Sequence, residues 1–113
     1  MKKNVIIDYE NLQNVYEILL DNQPNIEFNI NIDKKEYTIE IRTFLNDETY
    51  ITISTETETI CNYASIKTGI DLAYLSTLEN VVFFFERITD KTKEKPYNYL
   101  DFNNYIRFYY GII

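Results

Sequence analysis

The stretch EFNINIDKKEYTIEIRTFLNDETYITIST, residues 27–55, alternates apolar and polar side chains almost without interruption. Successive side chains of a strand point to opposite faces of a sheet, so each run can bury one face and expose the other. The runs predict strands at about 25–32, 36–44 and 49–55. The turns between them, Asp33–Glu36 and Leu45–Glu48, are predicted to be wide. The reason is that only two glycines are present to supply the positive φ of tight primed hairpin turns.

The alternation returns in the second half of the chain and predicts further strands at about 60–66, 81–85 and 103–110. Val81–Phe85 is apolar on both faces, which is typical of a central strand or of one that another subunit covers. Ile70–Leu78 predicts one or two helical turns over an open end of the sheet. The predicted fold is therefore all-β and mainly antiparallel: a small sandwich or barrel of six or seven strands, with a short helical segment near 70–78.

The N-terminal region permits two interpretations. A helical spacing of i, i+3, i+4 and i+7 joins Leu12, Val15, Tyr16 and Leu19. Tyr16–Leu20 also resembles a short strand that ends before Pro24. A chain of 113 residues forms a single domain. The domain prediction is an N-terminal extension over residues 1–15, which reaches a neighbouring subunit, followed by one β domain over residues 16–113.

The residue inventory argues against the commonest enzyme chemistries. No histidine is present, which removes Ser-His and Cys-His nucleophiles and imidazole-bearing zinc sites. Cys61 is the only cysteine, so an internal disulfide is impossible. Carboxylates two residues apart remain, Glu56 with Glu58 and Asp8 with Glu10. In the polar run around Glu56, a charged edge that blocks unwanted strand pairing is the better explanation. We predict neither an enzyme nor a bound metal or cofactor.

The charge balance argues against nucleic acid as a partner. The chain has 11 Lys and Arg against 18 Asp and Glu, a net charge of −7, whereas phosphate binding depends mainly on Lys and Arg. No apolar run approaches the length of a transmembrane helix, and the one near the N-terminus is too short for a signal peptide. The prediction is a soluble protein made in the cytosol, without membrane insertion.

Aromatic residues near the C-terminus are candidates for protein contacts. Five of the 11 tyrosines lie in the last fifth of the chain, and tyrosine and arginine are enriched at the centres of protein interfaces. The same tyrosines are also explained by strand positions whose hydroxyls reach water, or by a stacking platform for a sugar. The predicted interface residues are Phe83, Phe85, Tyr105, Arg107 and Tyr109.

The order of these features from Tyr16 onward resembles the small plug-type baseplate hub proteins of tailed phages, such as the baseplate plug of contractile cyanophages. That family has an opening strand, a hairpin, a third strand, an "lv.G.dLl" segment, an apolar strand, a polar loop with proline, and a closing "LG..frl.Y" strand. The matching segments here are Tyr16–Leu20, Phe28–Ile32, Tyr37–Arg42, Tyr50–Ser54, Ile66–Leu72, Val81–Phe85, Lys91–Pro96 and Leu100–Tyr110. Tyr50 and Asp101 stand where the family often has tryptophan and glycine.

This resemblance implies a structural, non-enzymatic subunit of a phage tail or phage-tail-like particle, in the baseplate or central hub. Its implied partners are hub, tube and baseplate proteins, with a homo-oligomer possible in the particle. It implies assembly in the host cytoplasm, followed by residence in the tail. Two rival hypotheses stay open: a monomeric module that binds carbohydrate or peptide through the C-terminal tyrosines, and an acidic mimic of nucleic acid.

Overall fold

The alternating stretch forms an antiparallel meander in the computed structural model, which describes residues 6–91, 93 and 96–113. Residues 1–5 of the predicted extension and residues 92, 94 and 95 of the predicted polar loop lie outside these ranges. The described residues form seven strands: β1 (Asn14–Ile18), β2 (Ile26–Ile32), β3 (Lys35–Thr43), β4 (Thr49–Ser54), β5 (Thr59–Ser65), β6 (Val81–Arg87) and β7 (Ile106–Ile112). One-turn 3-10 helices span Tyr9–Asn11, Leu45–Asp47 and Tyr99–Asp101.

The strands make two antiparallel sheets, one in the order β2-β3-β4-β5 and one in the order β1-β7-β6. Each sheet turns an apolar face toward the other, as expected of a β-sandwich. The main core contains Ile39, Ile41, Ile51, Ile53, Phe83, Phe85, Ile106 and Phe108. These residues alternate with polar or outward-facing neighbours on their strands, so the period-two pattern is confirmed as the basis of an all-β fold.

The hairpin between β2 and β3 is tighter than predicted. Ile32 pairs directly with Lys35, which leaves a two-residue loop of Asp33 and Lys34. Both residues have positive φ, 51° and 67°, the hallmark of a primed turn. The prediction of a wide turn was wrong because Asp tolerates this region without a glycine, and the twist of the flanking strands favours the primed turn.

The predicted helical segment near 70–78 is absent from the described residues. Two turns take its place, with the Tyr74 amide donating to the Asp71 carbonyl at 3.3 Å and the Ser76 amide to the Ala73 carbonyl at 3.0 Å. The Asp71 carboxylate accepts from the Ala73 amide at 2.9 Å, and the Ser76 hydroxyl donates to the Ala73 carbonyl at 2.7 Å. Such side chain–backbone bonds compete with helical ones, which explains the failure of the prediction.

The N-terminal segment, for which two interpretations were open, and the C-terminal segment are both strands. Residues 14–18 form β1 beside β7, so the strand interpretation is confirmed and the helical spacing of Leu12 through Leu19 was accidental. The last strand starts at Ile106, three residues later than predicted. Residues 103–105 instead form a turn, in which the Asn104 and Tyr105 amides donate to the Asp101 carbonyl at 3.1 and 2.9 Å.

Candidate interaction surfaces

Strand β6 is enclosed by its own chain on both faces. The inner face packs in the sandwich core, and the outer face is covered by residues 6–12, here called the N-terminal strap. Ile7 of the strap is buried against Val82 and Phe84, and the Tyr9 ring meets the Phe84 ring edge-on at 5.7 Å. The predicted central position was wrong, because β6 is an edge strand in the order β1-β7-β6, and cover from another subunit is not needed.

The strap fits its surface closely because β7 carries a glycine beneath it. A Cβ on Gly111 would lie 3.1 Å from both methyl carbons of Leu12 and 3.2 Å from Val82. The Tyr9 hydroxyl donates a hydrogen bond to the Glu86 carboxylate. Burial, together with that bond and the charge of Glu86, raises the pKa of Tyr9. Asp8, one of the carboxylates considered for catalysis, caps the strap's 3-10 turn by accepting from the Glu10 amide at 3.2 Å.

The free edge of β6 is also covered. The Gly69 amide donates to the Phe85 carbonyl at 2.9 Å, and the Leu72 amide donates to the Phe83 carbonyl at 2.8 Å. The Asp71 carboxylate accepts from the Phe83 amide at 3.3 Å. Gly69 has a φ of 72°, a region in which a side chain would be strained. Residues 69–72 therefore occupy the free edge of β6, so that another strand cannot pair with it there.

Phe83 and Phe85, two of the predicted interface residues, lie in the core. Both are 0% exposed, and Phe85 stacks on Phe108 at 4.7 Å and on Phe102 at 6.0 Å between ring centroids. In the folded chain these two side chains therefore have no surface to offer to a partner.

The other three predicted residues do not form one site. Arg107 and Tyr109 share the outer face of β7: the Arg107 guanidinium lies 3.7 Å from the Glu17 carboxylate, and Tyr109 stacks on Phe84 at 5.6 Å. Tyr105 precedes the strand and packs against the main core, with the Lys93 ammonium 5.7 Å from its ring centroid. Tyr110 is on the opposite face from Tyr109 and stacks on Tyr16 at 5.1 Å. These tyrosines thus form no common platform for a sugar.

An exposed apolar surface that was not predicted lies at the turn between β3 and β4. We call it the hairpin tip: Phe44, Leu45, Tyr50 and Tyr63. Phe44 contacts the Tyr50 ring at 5.6 Å and the Tyr63 ring at 5.9 Å. Leu45 is 90% exposed. The signal was present in the sequence, because two apolar residues stand side by side where alternation ends and a turn begins.

The described residues bring no group of three or more potential metal ligands together. The Glu58 carboxylate, also considered for catalysis, accepts from the Thr77 amide and hydroxyl at 3.0 and 2.7 Å, which lowers its pKa and fixes a turn. One groove of about 430 Å³ contains Cys61, but burial raises the pKa of that thiol to about 11. A protonated thiol is a poor nucleophile.

Cys61 is therefore expected to react slowly with iodoacetamide while the chain is folded. The rise in pKa from 9.0 to about 11 reduces the thiolate fraction near neutral pH by roughly a hundredfold. Alkylation followed by mass spectrometry, in native buffer and in urea, would measure the difference. Equal rates in the two conditions would show that the thiol is not shielded by the fold.

Within the described residues, no helix has the length and hydropathy needed to cross a membrane. The two packed antiparallel sheets define the chain as a small β-sandwich protein. A family model described as cyanophage baseplate Pam3 plug gp18 matches residues 15–112. Because the match spans most of the chain, the protein belongs to this family of phage baseplate plugs, a structural family and not a family of enzymes. No curated protein matches the sequence.

The family match confirms the resemblance drawn from the order of strands and motifs. It begins at residue 15, within β1, so the strap precedes the matched region. The hairpin tip, β6 and its edge segment all lie within the matched region.

Proposed function

We propose that this chain is a plug-like structural subunit in the central hub of a phage tail baseplate and acts through protein contacts. The observation that carries the proposal is the family match over residues 15–112. The surface supports it, because apolar side chains are exposed at the hairpin tip. The partners would be hub, tube and other baseplate proteins, and copies of the chain can also meet in the particle.

The charge of the chain supports the same role. A net charge of −7 provides no general attraction for phosphate, so the subunit does not hold DNA that passes along the tail. Synthesis takes place in the host cytoplasm, and the mature location is the tail of the virion or of a related tail-like particle.

Deletion of the gene, followed by purification of particles, tests the proposal. We expect the wild-type chain to remain with purified particles at a constant ratio to the hub protein, through a density gradient and through a high-salt wash. Particles made without it should have an incomplete hub by electron microscopy and lose infectivity, and a plasmid copy should restore both. Complete, infectious particles that lack the chain would contradict the proposal.

A further inference from the structure

We propose that the hairpin tip is the surface by which the chain docks on a neighbouring baseplate protein, in an apolar recess bordered by Lys or Arg. This inference rests on the proposed function and names the contact surface and the chemistry of the partner. Three properties of the tip support it: exposure, fixed conformation and negative charge.

The exposed apolar side chains of the tip lie next to one another. Leu45 is 90% exposed and the adjacent Phe44 is 53% exposed, with Tyr63 at 48% beside it. Phe44 contacts the rings of Tyr50 and Tyr63. Exposed apolar and aromatic side chains that lie together are the kind of anchor that fills a pocket at the centre of an interface. A contiguous exposed apolar patch is also uncommon on a protein without a partner.

The backbone holds this anchor in a fixed position. The Phe44 amide donates to the Glu48 carbonyl at 2.9 Å and closes the turn. Asn46 and Asp47 have positive φ, 75° and 59°. Residues in this region persist where the surrounding structure constrains them, and such constraint at exposed positions often serves binding. A preformed turn loses little conformational entropy when a partner binds.

The charge at the tip identifies the class of partner. Asp47 and Glu48 lie two and three residues after Leu45, and both are exposed. Glu48 accepts a hydrogen bond from the Tyr50 hydroxyl at 2.7 Å, and within the described part of the chain neither carboxylate has an ion pair. A second copy docked tip to tip would bring these carboxylates near their counterparts, which is unfavourable. A recess with a basic border fits both the charge and the apolar anchor.

Photo-crosslinking in assembled particles identifies the partner directly. The photoreactive residue p-benzoylphenylalanine replaces Leu45 in one variant and, as a control, Leu75, which is 81% exposed outside the tip. The expected result is a crosslink from position 45 to another tail protein, at a peptide that contains Lys or Arg. A crosslink from position 45 to a second copy of the chain, or crosslinks from position 75 alone, would overturn the inference.

A competition experiment measures the contribution of each feature without knowledge of the partner. The wild-type chain and a variant are expressed together, and mass spectrometry gives their ratio in purified particles. We expect Leu45→Asp, and the double change Asp47→Lys with Glu48→Lys, to be depleted at least tenfold, whereas Leu75→Asp enters normally. Thermal unfolding of each purified variant checks that its fold is retained.

The outcomes separate this inference from the proposed function. If all variants enter particles as well as the wild type, the tip is not the docking surface, although the chain remains a baseplate subunit. If the wild-type chain is itself absent from particles, the proposed function is wrong, and the inference fails with it.

Discussion

Replacement of Phe85 by alanine is expected to lower the free energy of unfolding by about 3–5 kcal/mol. Phe85 is 0% exposed and stacks against Phe102 and Phe108 in the sandwich core. Removal of the ring eliminates those contacts and leaves a cavity that the two sheets can close only in part. Urea denaturation of the purified chain measures the loss.

Phe44→Ala is the matched control, because the same ring is removed at the exposed hairpin tip. Phe44 is 53% exposed and contacts two tyrosine rings, so the expected loss of stability is about 1 kcal/mol or less. Equal losses for the two variants would contradict the core assignment of Phe85. A Phe85→Ala chain that is stable but no longer assembles into particles would show that Phe85 is an interface residue, as predicted from the sequence.

Ile7→Asp is expected to detach the N-terminal strap and to reduce stability by at least about 2 kcal/mol. The Ile7 side chain is only 7% exposed and packs against Val82 and Phe84. A carboxylate at this position must either lose its hydration or move away from the outer face of β6. Detachment uncovers an apolar face, so binding of the dye ANS and self-association should both rise.

Ile6→Asp provides the control for the strap, because the neighbouring side chain is 70% exposed. This variant should match the wild type in urea denaturation and in dye binding. Similar behaviour of the two variants would show that the strap does not depend on the contacts of Ile7.

The sheet framework followed from the sequence because periodicity reports directly on which side chains share a face. Tyr37, Ile39 and Ile41 alternate with polar residues, and all three are buried between the sheets. The order of segments from β1 to β7 was also sufficient to find the family. The tight turn at Asp33 and Lys34 was missed because composition shows how many glycines are present, not which other residues accept positive φ.

The surfaces were harder to predict, for a physical reason. Five apolar residues in a row show that both faces of β6 are buried, but not which atoms cover them. The strap, more than 60 positions away along the chain, covers the outer face of β6. The segment around Gly69 covers the free edge. Burial of Val82 and Phe84 by the strap therefore looks, in sequence alone, the same as burial by a partner. The hairpin tip carried a local signal instead, the pair Phe44-Leu45 before a turn.

This chain covers β6 by itself, and we propose that it meets its neighbours elsewhere, at the hairpin tip. Hydroxyl-radical footprinting of the free chain and of assembled particles examines both surfaces in one experiment. We expect Phe84 to resist oxidation in both states, whereas Leu45 and Tyr63 are oxidised in the free chain and protected in the particle. Oxidation of Phe84 in the free chain with protection only after assembly, and no change at Leu45, would contradict it.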